Sequence, residues 1–310
     1  MRHALLIIQV LFSVLFLVIV FHDFDMKEFE VLIIKVPIWF VISLFLSILT
    51  QFLYVLRWDV LLKLMGVEVS YWSLLKSTLM GLFFANFAPA TFGQDATKIY
   101  YVGKHKGYFD IGVSVLIDKF LGFFAMILWA TLFLWWFNFS DPVFNTTKHI
   151  LTLVLIAFVV TFFVAWLPFE KFFHPFEHRP RIAFLVDKIE RLLTHVRMAG
   201  SNFKMLMVSI VIIAIIFVIN TFIYLEFFSI TLQSELGFFQ TMSILLVIII
   251  VTNLPVSVNG IGVREQLHFL YFAALGIPKE AAVGISVLIF THLLIISLIG
   301  YVLWLNRKKI

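Results

Sequence analysis

The sequence predicts an all-α integral membrane fold, in which six spanning helices and two re-entrant helical hairpins are arranged as an inverted repeat. Three observations carry that prediction: the composition, the length of the apolar runs, and a pattern of Asn, Pro and Gly that recurs in both halves. Of 310 residues, 62% are hydrophobic and only 13% are charged, with a mean hydropathy of +1.06. A water-solvated domain carries about 25% charge, so this chain is solvated by lipid. Phe occurs 38 times, a side chain suited to lipid-facing helix surfaces. The absence of Cys excludes a disulfide framework, a thiolate nucleophile and a Cys-ligated metal. The net charge of +5 does not point to nucleic acid, because the basic residues lie in short loops between apolar runs.

About 20 apolar residues are needed to cross the hydrocarbon. Six runs qualify: residues 4–21, 33–56, 109–137, 149–168, 205–229 and 281–305. The first is flanked by Arg2 and His3 but is followed by Phe21-His22-Asp23-Phe24, without a small-residue cleavage site, so it reads as a retained span. Two further apolar stretches, 72–91 and 238–256, are each interrupted. One breaks at Asn86, Pro89 and Gly93, the other at Asn253, Pro255, Asn259, Gly260 and Gly262. Backbone broken by Pro and Gly is tolerated at membrane depth only where protein or water satisfies its polar groups, which a re-entrant hairpin provides.

Loop charge supports this topology. Arg2, Arg57, Lys63, Lys76, Lys98, Lys104, Lys106, the basic residues from Arg179 to Lys204, and Arg307-Lys308-Lys309 fall on one side. Lys27, Lys35, Lys148 and Lys279 fall on the other, among acidic residues. The positive-inside rule then places both termini in the cytoplasm and the chain in the cytoplasmic (inner) membrane as a multi-pass protein. Between Pro168 and Lys204, Ile182, Leu185, Val186, Ile189, Leu192, Leu193 and Val196 recur at helical spacing, predicting an amphipathic connector at the membrane surface. The chain reads as one domain over 1–310: a first span in 1–30, a first repeat over 31–148, a fourth span and connector over 149–204, and a second repeat over 205–310.

The repeat is visible in the residues themselves. Gly112-Val-Ser114-Val115-Leu116-Ile117 recurs as Gly284-Ile-Ser286-Val287-Leu288-Ile289, and Asn86 of one hairpin answers Asn253 of the other. Corresponding spans are separated by an odd number of crossings, so the copies are antiparallel. Inverted repeats with broken helices meeting near the midplane mark transporters.

Ionisable groups inside lipid cost roughly 2.5–3.5 kcal/mol each on insertion scales and are candidate functional residues. They are Asp95 and Lys98 after the first break, Arg264, Glu265 and His268 after the second, and Asp118, Lys119 and His292 in long spans. Helix N-termini after Gly93 and Gly262 offer N–H groups to an anion, and an Arg fork binds phosphate in bidentate fashion. The expected ligand is an anionic head group of a phospholipid or polyprenyl phosphate. Asp118-Lys119 reads as readily as a neutralised structural or interfacial pair as it does as a functional one, and Arg57-Trp58 reads as an interfacial anchor. His292 alone reads as a helix–helix hydrogen bond. No His cluster has metal-ligand spacing and no nucleophilic triad is present, so no catalytic residue, metal or cofactor is expected.

At this point the residues resemble a known family. Arg57-Trp58 with Leu61-Leu62, then Asn86, Pro89, Gly93-Gln94-Asp95 and Lys98, then Ser114, Asp118-Lys119 and Gly122 follow its pattern in order, and Pro255 with Asn259-Gly260-Ile261-Gly262-Val263-Arg264-Glu265 completes it. The chain resembles the lysylphosphatidylglycerol synthase transmembrane family, the flippase-like domain, in its standalone form. The resemblance implies a lipid flippase with re-entrant helices entering from both faces. Members are linked to aminoacylated phosphatidylglycerol, and standalone members to polyprenyl-linked or glycosylated lipids. This chain departs from the pattern where the family often has an acid directly after the first hairpin glycine (here Gln94, then Asp95) and where it often has Asp-Arg (here Asp118-Lys119). Lys cannot reproduce the bidentate fork of Arg. No soluble acyltransferase domain follows Ile310, so lysyl transfer is expected to be absent.

The expected function is movement of an anionic lipid through a cleft between the hairpins, with Arg264 contacting phosphate and Asp95 and Glu265 holding basic groups or relaying protons. The alternatives are an intramembrane enzyme acting on a lipid phosphate, or an accessory subunit docking a cytoplasmic glycosyltransferase or lipid synthase through the 179–200 helix. A homo-oligomer stays open.

Overall fold

The computed structural model describes residues 14–22, 24–88, 91–137, 139–164 and 202–306, with the single positions Leu11, Leu193, Thr194 and Arg197. Half of the first predicted span, Pro89, most of the amphipathic connector and the basic tail Arg307-Lys308-Lys309 lie outside these. Of the first span, residues 14–21 are helical.

The fold is helical, with no strand among the described residues. Helix α1 (Met26–Ile34) starts at Asp25, whose carboxylate accepts the N–H groups of Lys27 and Glu28 at 2.8 and 3.2 Å, a cap worth about 1 kcal/mol. Helix α2 (Pro37–Leu64) opens on Pro37 in its first turn, where a missing N–H costs nothing. Helices α3 (Tyr71–Ala85) and α4 (Phe92–Lys106) follow, separated by the first Asn/Gly segment. Gly107, at φ +97°, turns the chain directly into α5 (Tyr108–Trp136). Beyond it lie α6 (Pro142–Val164) and α7 (Phe203–Leu232), then α8 (Phe238–Thr252), α9 (Val263–Ala273) and α10 (Lys279–Leu305).

Five of these helices, α2, α5, α6, α7 and α10, are long and apolar enough to cross a membrane. Their outward side chains agree: Ile38 is 77% exposed, Phe203 71% and Trp136 82%, an apolar surface that only lipid would cover. This is a multi-pass membrane protein. Helix α2 runs eight residues past the predicted end of its span, so Arg57 and Asp59 lie inside it rather than in a following loop.

The remaining apolar stretches form short helices. At 1.5 Å per residue, the 15 residues of α3, α4 and α8 and the 11 of α9 reach only about 22 and 16 Å, less than the roughly 30 Å of hydrocarbon. Each pair folds back on itself: α3 packs on α4, and α8 on α9. At the second break the chain passes through Asn259 at φ +48°, Gly260 at +74° and Gly262 at +82°. Glycine carries this left-handed path without the Cβ clash that other residues incur.

The element order long–short–short–long therefore occurs twice, as α2–α5 and as α7–α10. The packing follows the same symmetry. The first short helix of each set leans on the last long helix of the other, α3 on α10 and α8 on α5, while α2 and α7 pack together. Close approach between α3 and α10 depends on Gly300, where a Cβ would stand 1.9 Å from the Leu79 carbonyl oxygen. One apolar core joins α5, α7, α8 and α10; a second lies under α2, α3, α4 and the first half of α5.

Candidate functional site

Two polar clusters and one bridge occupy the interior. The first cluster gathers where α4 begins, against α2 and α5. Arg57 Nε and Nη2 donate to Asp118 Oδ1 and Oδ2 at 2.8 and 2.9 Å, a bidentate pair with both residues buried. Trp58 Nε1 donates to Ser114 Oγ at 3.1 Å. One residue beyond Asp118, Lys119 crosses to α4 instead, donating to Asp95 Oδ2 and to Thr91 Oγ1. Asp118 and Lys119 are thus not a pair with each other; each ties α5 to a different helix. Nor is Arg57-Trp58 an interfacial anchor, since Arg57 is 7% exposed and Trp58 0%.

Lys98 lies one turn along α4 from Asp95. Its Nζ stands 4.9 Å from the centre of the Trp58 ring and makes no ion pair among the described residues. Arg57, Lys98 and Lys119 face Asp95 and Asp118, three cations against two carboxylates. Arg57 Nη1 is buried with no hydrogen-bond partner among the described residues, directed at Gly122, where a Cβ would come within 2.5 Å of it. The Thr91 side chain makes no capping hydrogen bond at the N-terminus of α4. Counted with every group ionised, the cluster has one more cation than carboxylates, and Arg57 Nη1 is a spare N–H donor.

The second cluster is closed on itself. Arg264 Nε and Nη2 donate to Glu265 Oε1 at 3.0 and 2.8 Å, and Nε also reaches Ser286 Oγ at 3.3 Å. Its guanidinium lies 4.4 Å from the centre of the Phe290 ring. Glu265 Oε2 accepts the Gly262 N–H at 2.7 Å, so the N-terminus of α9 binds the chain's own carboxylate. His268 Nδ1 lies 2.7 Å from the Arg264 carbonyl and Nε2 lies 2.6 Å from the Tyr224 hydroxyl. Ser114 and Ser286, the equivalent serines of the repeated segment, are both fully buried and each accepts a hydrogen bond from the cluster of its own half.

A bridge joins the two breaks. Asn259 Nδ2 donates to Asn86 Oδ1 at 2.8 Å, and Asn86 Nδ2 donates to Ser297 Oγ of α10 at 3.0 Å. Asn253 instead turns back to the Ile249 carbonyl of its own helix, and Pro255 is exposed in the turn beyond. His292 is fully buried between α10 and α2, within 3.4 and 3.3 Å of Ser43 and Ser47, apart from both clusters. It ties two helices together, as its isolation in the sequence suggested.

Comparison with known proteins fits this arrangement. The sequence model of the lysylphosphatidylglycerol synthase TM region matches residues 6–300. The chain belongs to that family. Its relatives include the UPF0104 membrane protein PH1989 of Pyrococcus horikoshii, 23% identical over 303 residues and covering 90% of each chain. The family pattern read from the sequence maps onto the clusters: Arg57, Asp95, Lys98, Asp118 and Lys119 make the first, and Arg264 and Glu265 make the second. Gly93 serves packing, since a Cβ there would stand 2.3 Å from the Phe84 carbonyl oxygen. Arg57, Thr91 and Tyr224 joined the clusters without having been marked as site residues. For Arg57 a signal existed: its carboxylate partner lies in the next long span of the same repeat.

Proposed function

We propose that this chain moves an anionic, phosphate-bearing lipid across the cytoplasmic membrane, with both termini in the cytoplasm and α3–α4 and α8–α9 entering the bilayer as re-entrant hairpins of an inverted repeat. Hairpin arms too short to span and a twofold pattern of packing support the topology. The observation that carries the function is the first cluster: buried charge costs several kcal/mol in lipid, yet here one positive charge is left over. A phosphate oxygen would accept from Lys98, and from Arg57 Nη1 once that nitrogen turns away from Gly122, and would gain from the start of α4. Arg264, held by Glu265 and Ser286, shapes the second hairpin and meets the lipid only after exchanging partners. The Asn86–Asn259 contact joins the two breaks in this state, and its parting would open the path. No chemistry on the lipid forms part of this reading.

The test is transbilayer movement of labelled phosphatidylglycerol, aminoacyl-phosphatidylglycerol and a polyprenyl phosphate in proteoliposomes. Wild type is expected to move one class. Lys98→Gln is expected to slow it at least about tenfold, the worth of one charge-assisted hydrogen bond, and Arg264→Ala to abolish it. Normal rates in both variants would sink the assignment. Product formed from the labelled lipid without movement would favour an intramembrane enzyme.

A further inference from the structure

The two arms of the first helix pair touch at their break and part toward their far ends. Gly81 packs on Gln94 and Gly93 on Phe84 near the break. Away from it, the space between α3 and α4 widens into a cavity of about 850 Å³, closed on one side by Trp304 at the end of α10. Its volume falls in the range of small-molecule sites, roughly 300–1,000 Å³.

The lining divides by chemistry. Lys76, Lys104, His105, Tyr100 and Tyr101 supply cationic and hydroxyl groups, while Met80, Phe84 and Trp304 form an apolar wall. No acidic residue lines the cavity among the described residues. Neither Lys76 nor Lys104 makes an ion pair among the described residues. Two unneutralised ammonium groups facing one cavity repel each other and favour an anion between them. Tyrosine hydroxyls add donors to it. A soluble anion would need no apolar wall; an amphiphile needs both.

We propose that this cavity is a loading site for the phosphate head group of an anionic lipid, with Lys76 and Lys104 on the phosphate and the acyl chains along Phe84 and Trp304. It lies on α4 beyond Lys98, on the side that basic loop residues assign to the cytoplasm, and so precedes the first cluster on the lipid's path. The substrate identity rests on the transport reading; the site itself is tested by binding.

The experiment measures calorimetric titration of the purified full-length protein in nonionic detergent with three ligands: dioctanoyl phosphatidylglycerol, dioctanoyl phosphatidylcholine and glycerol phosphate. The anionic lipid is expected to bind, and to bind at least about tenfold more weakly to Lys76→Gln/Lys104→Gln, the worth of one charge-assisted hydrogen bond. The choline lipid is expected to bind weakly and equally to both proteins. Lys104→Gln alone, at an exposed position, provides a variant whose folding is not at issue and is expected to lose part of the affinity. Unchanged affinity in the double variant, or equal binding of the two lipids by wild type, would overturn the site. Glycerol phosphate binding as tightly as the lipid would overturn the amphiphile. Charge-dependent binding without transbilayer movement would keep the site and sink the transport reading.

Discussion

Gly300→Val is expected to prevent α10 from docking on α3 and to leave the protein with a lowered thermal midpoint and poor recovery from membranes. The Cβ alone would stand 1.9 Å from the Leu79 carbonyl oxygen and 2.6 Å from its carbonyl carbon, both backbone atoms of a helix that cannot swing aside as a side chain can. Overpacking a well-packed contact costs typically 1–3 kcal/mol, and a backbone clash of this depth lies at or beyond about 3. Small residues where membrane helices touch permit such close contact, because packing rather than water expulsion holds helices together in lipid. Gly112→Ala is the matched control. It too lies in a long helix, but its new Cβ would meet only Ile99 Cδ1 at 3.9 Å, and alanine gains up to about 1 kcal/mol of helix propensity. Melting of the two purified variants beside wild type decides the matter: a normal midpoint for Gly300→Val would mean that α3 and α10 do not form this contact.

That contact shows what the sequence could and could not reveal. The long helices were legible because a run of apolar residues is itself the condition for crossing lipid, and α2, α5, α6, α7 and α10 lie where such runs predict. Their ends were less so: α6 starts at Pro142, seven residues before the apolar run, and α2 carries Arg57 inside a helix whose apolar stretch ends at Leu56. The second break was legible in Asn259, Gly260 and Gly262, all at positive φ, since few residues other than Gly and Asn take a left-handed backbone. Partner choice was not. Asp118 and Lys119 are adjacent in sequence but successive residues point about 100° apart around a helix, so each meets a different neighbour. Arg264 and Glu265 are also adjacent and do pair, because Glu265 curls back to cap α9. Periodicity gives a side chain's direction only; what stands there depends on packing between helices, which one sequence does not encode locally. The cavity beside Lys76 and Lys104 escaped notice for the same reason: its residues come from two helices and the far end of a third.

Asp118→Leu and Arg57→Met are each expected to destabilise the protein by about 3–5 kcal/mol, and the double variant by much less. Removing one partner leaves the other charge buried without compensation, whereas replacing both with apolar side chains of similar volume is often neutral or stabilising. The geometry favours a large effect. Arg57 and Asp118 join through two hydrogen bonds at 2.8 and 2.9 Å, and Gly122 leaves no room for the guanidinium to swing out in that direction. A double-mutant cycle on the thermal or denaturant stability of the purified protein would measure the coupling; additive losses would mean the pair is not closed in the membrane. The cycle also separates structure from transport. The cluster holds three cations and two carboxylates, and deleting one of each leaves its net charge unchanged while removing the unpartnered Arg57 Nη1. If charge alone draws the phosphate in, the double variant folds and still moves lipid. If the Arg57 N–H groups grip the phosphate directly, it folds and moves none, and α2 becomes a wall of the path rather than a support behind it.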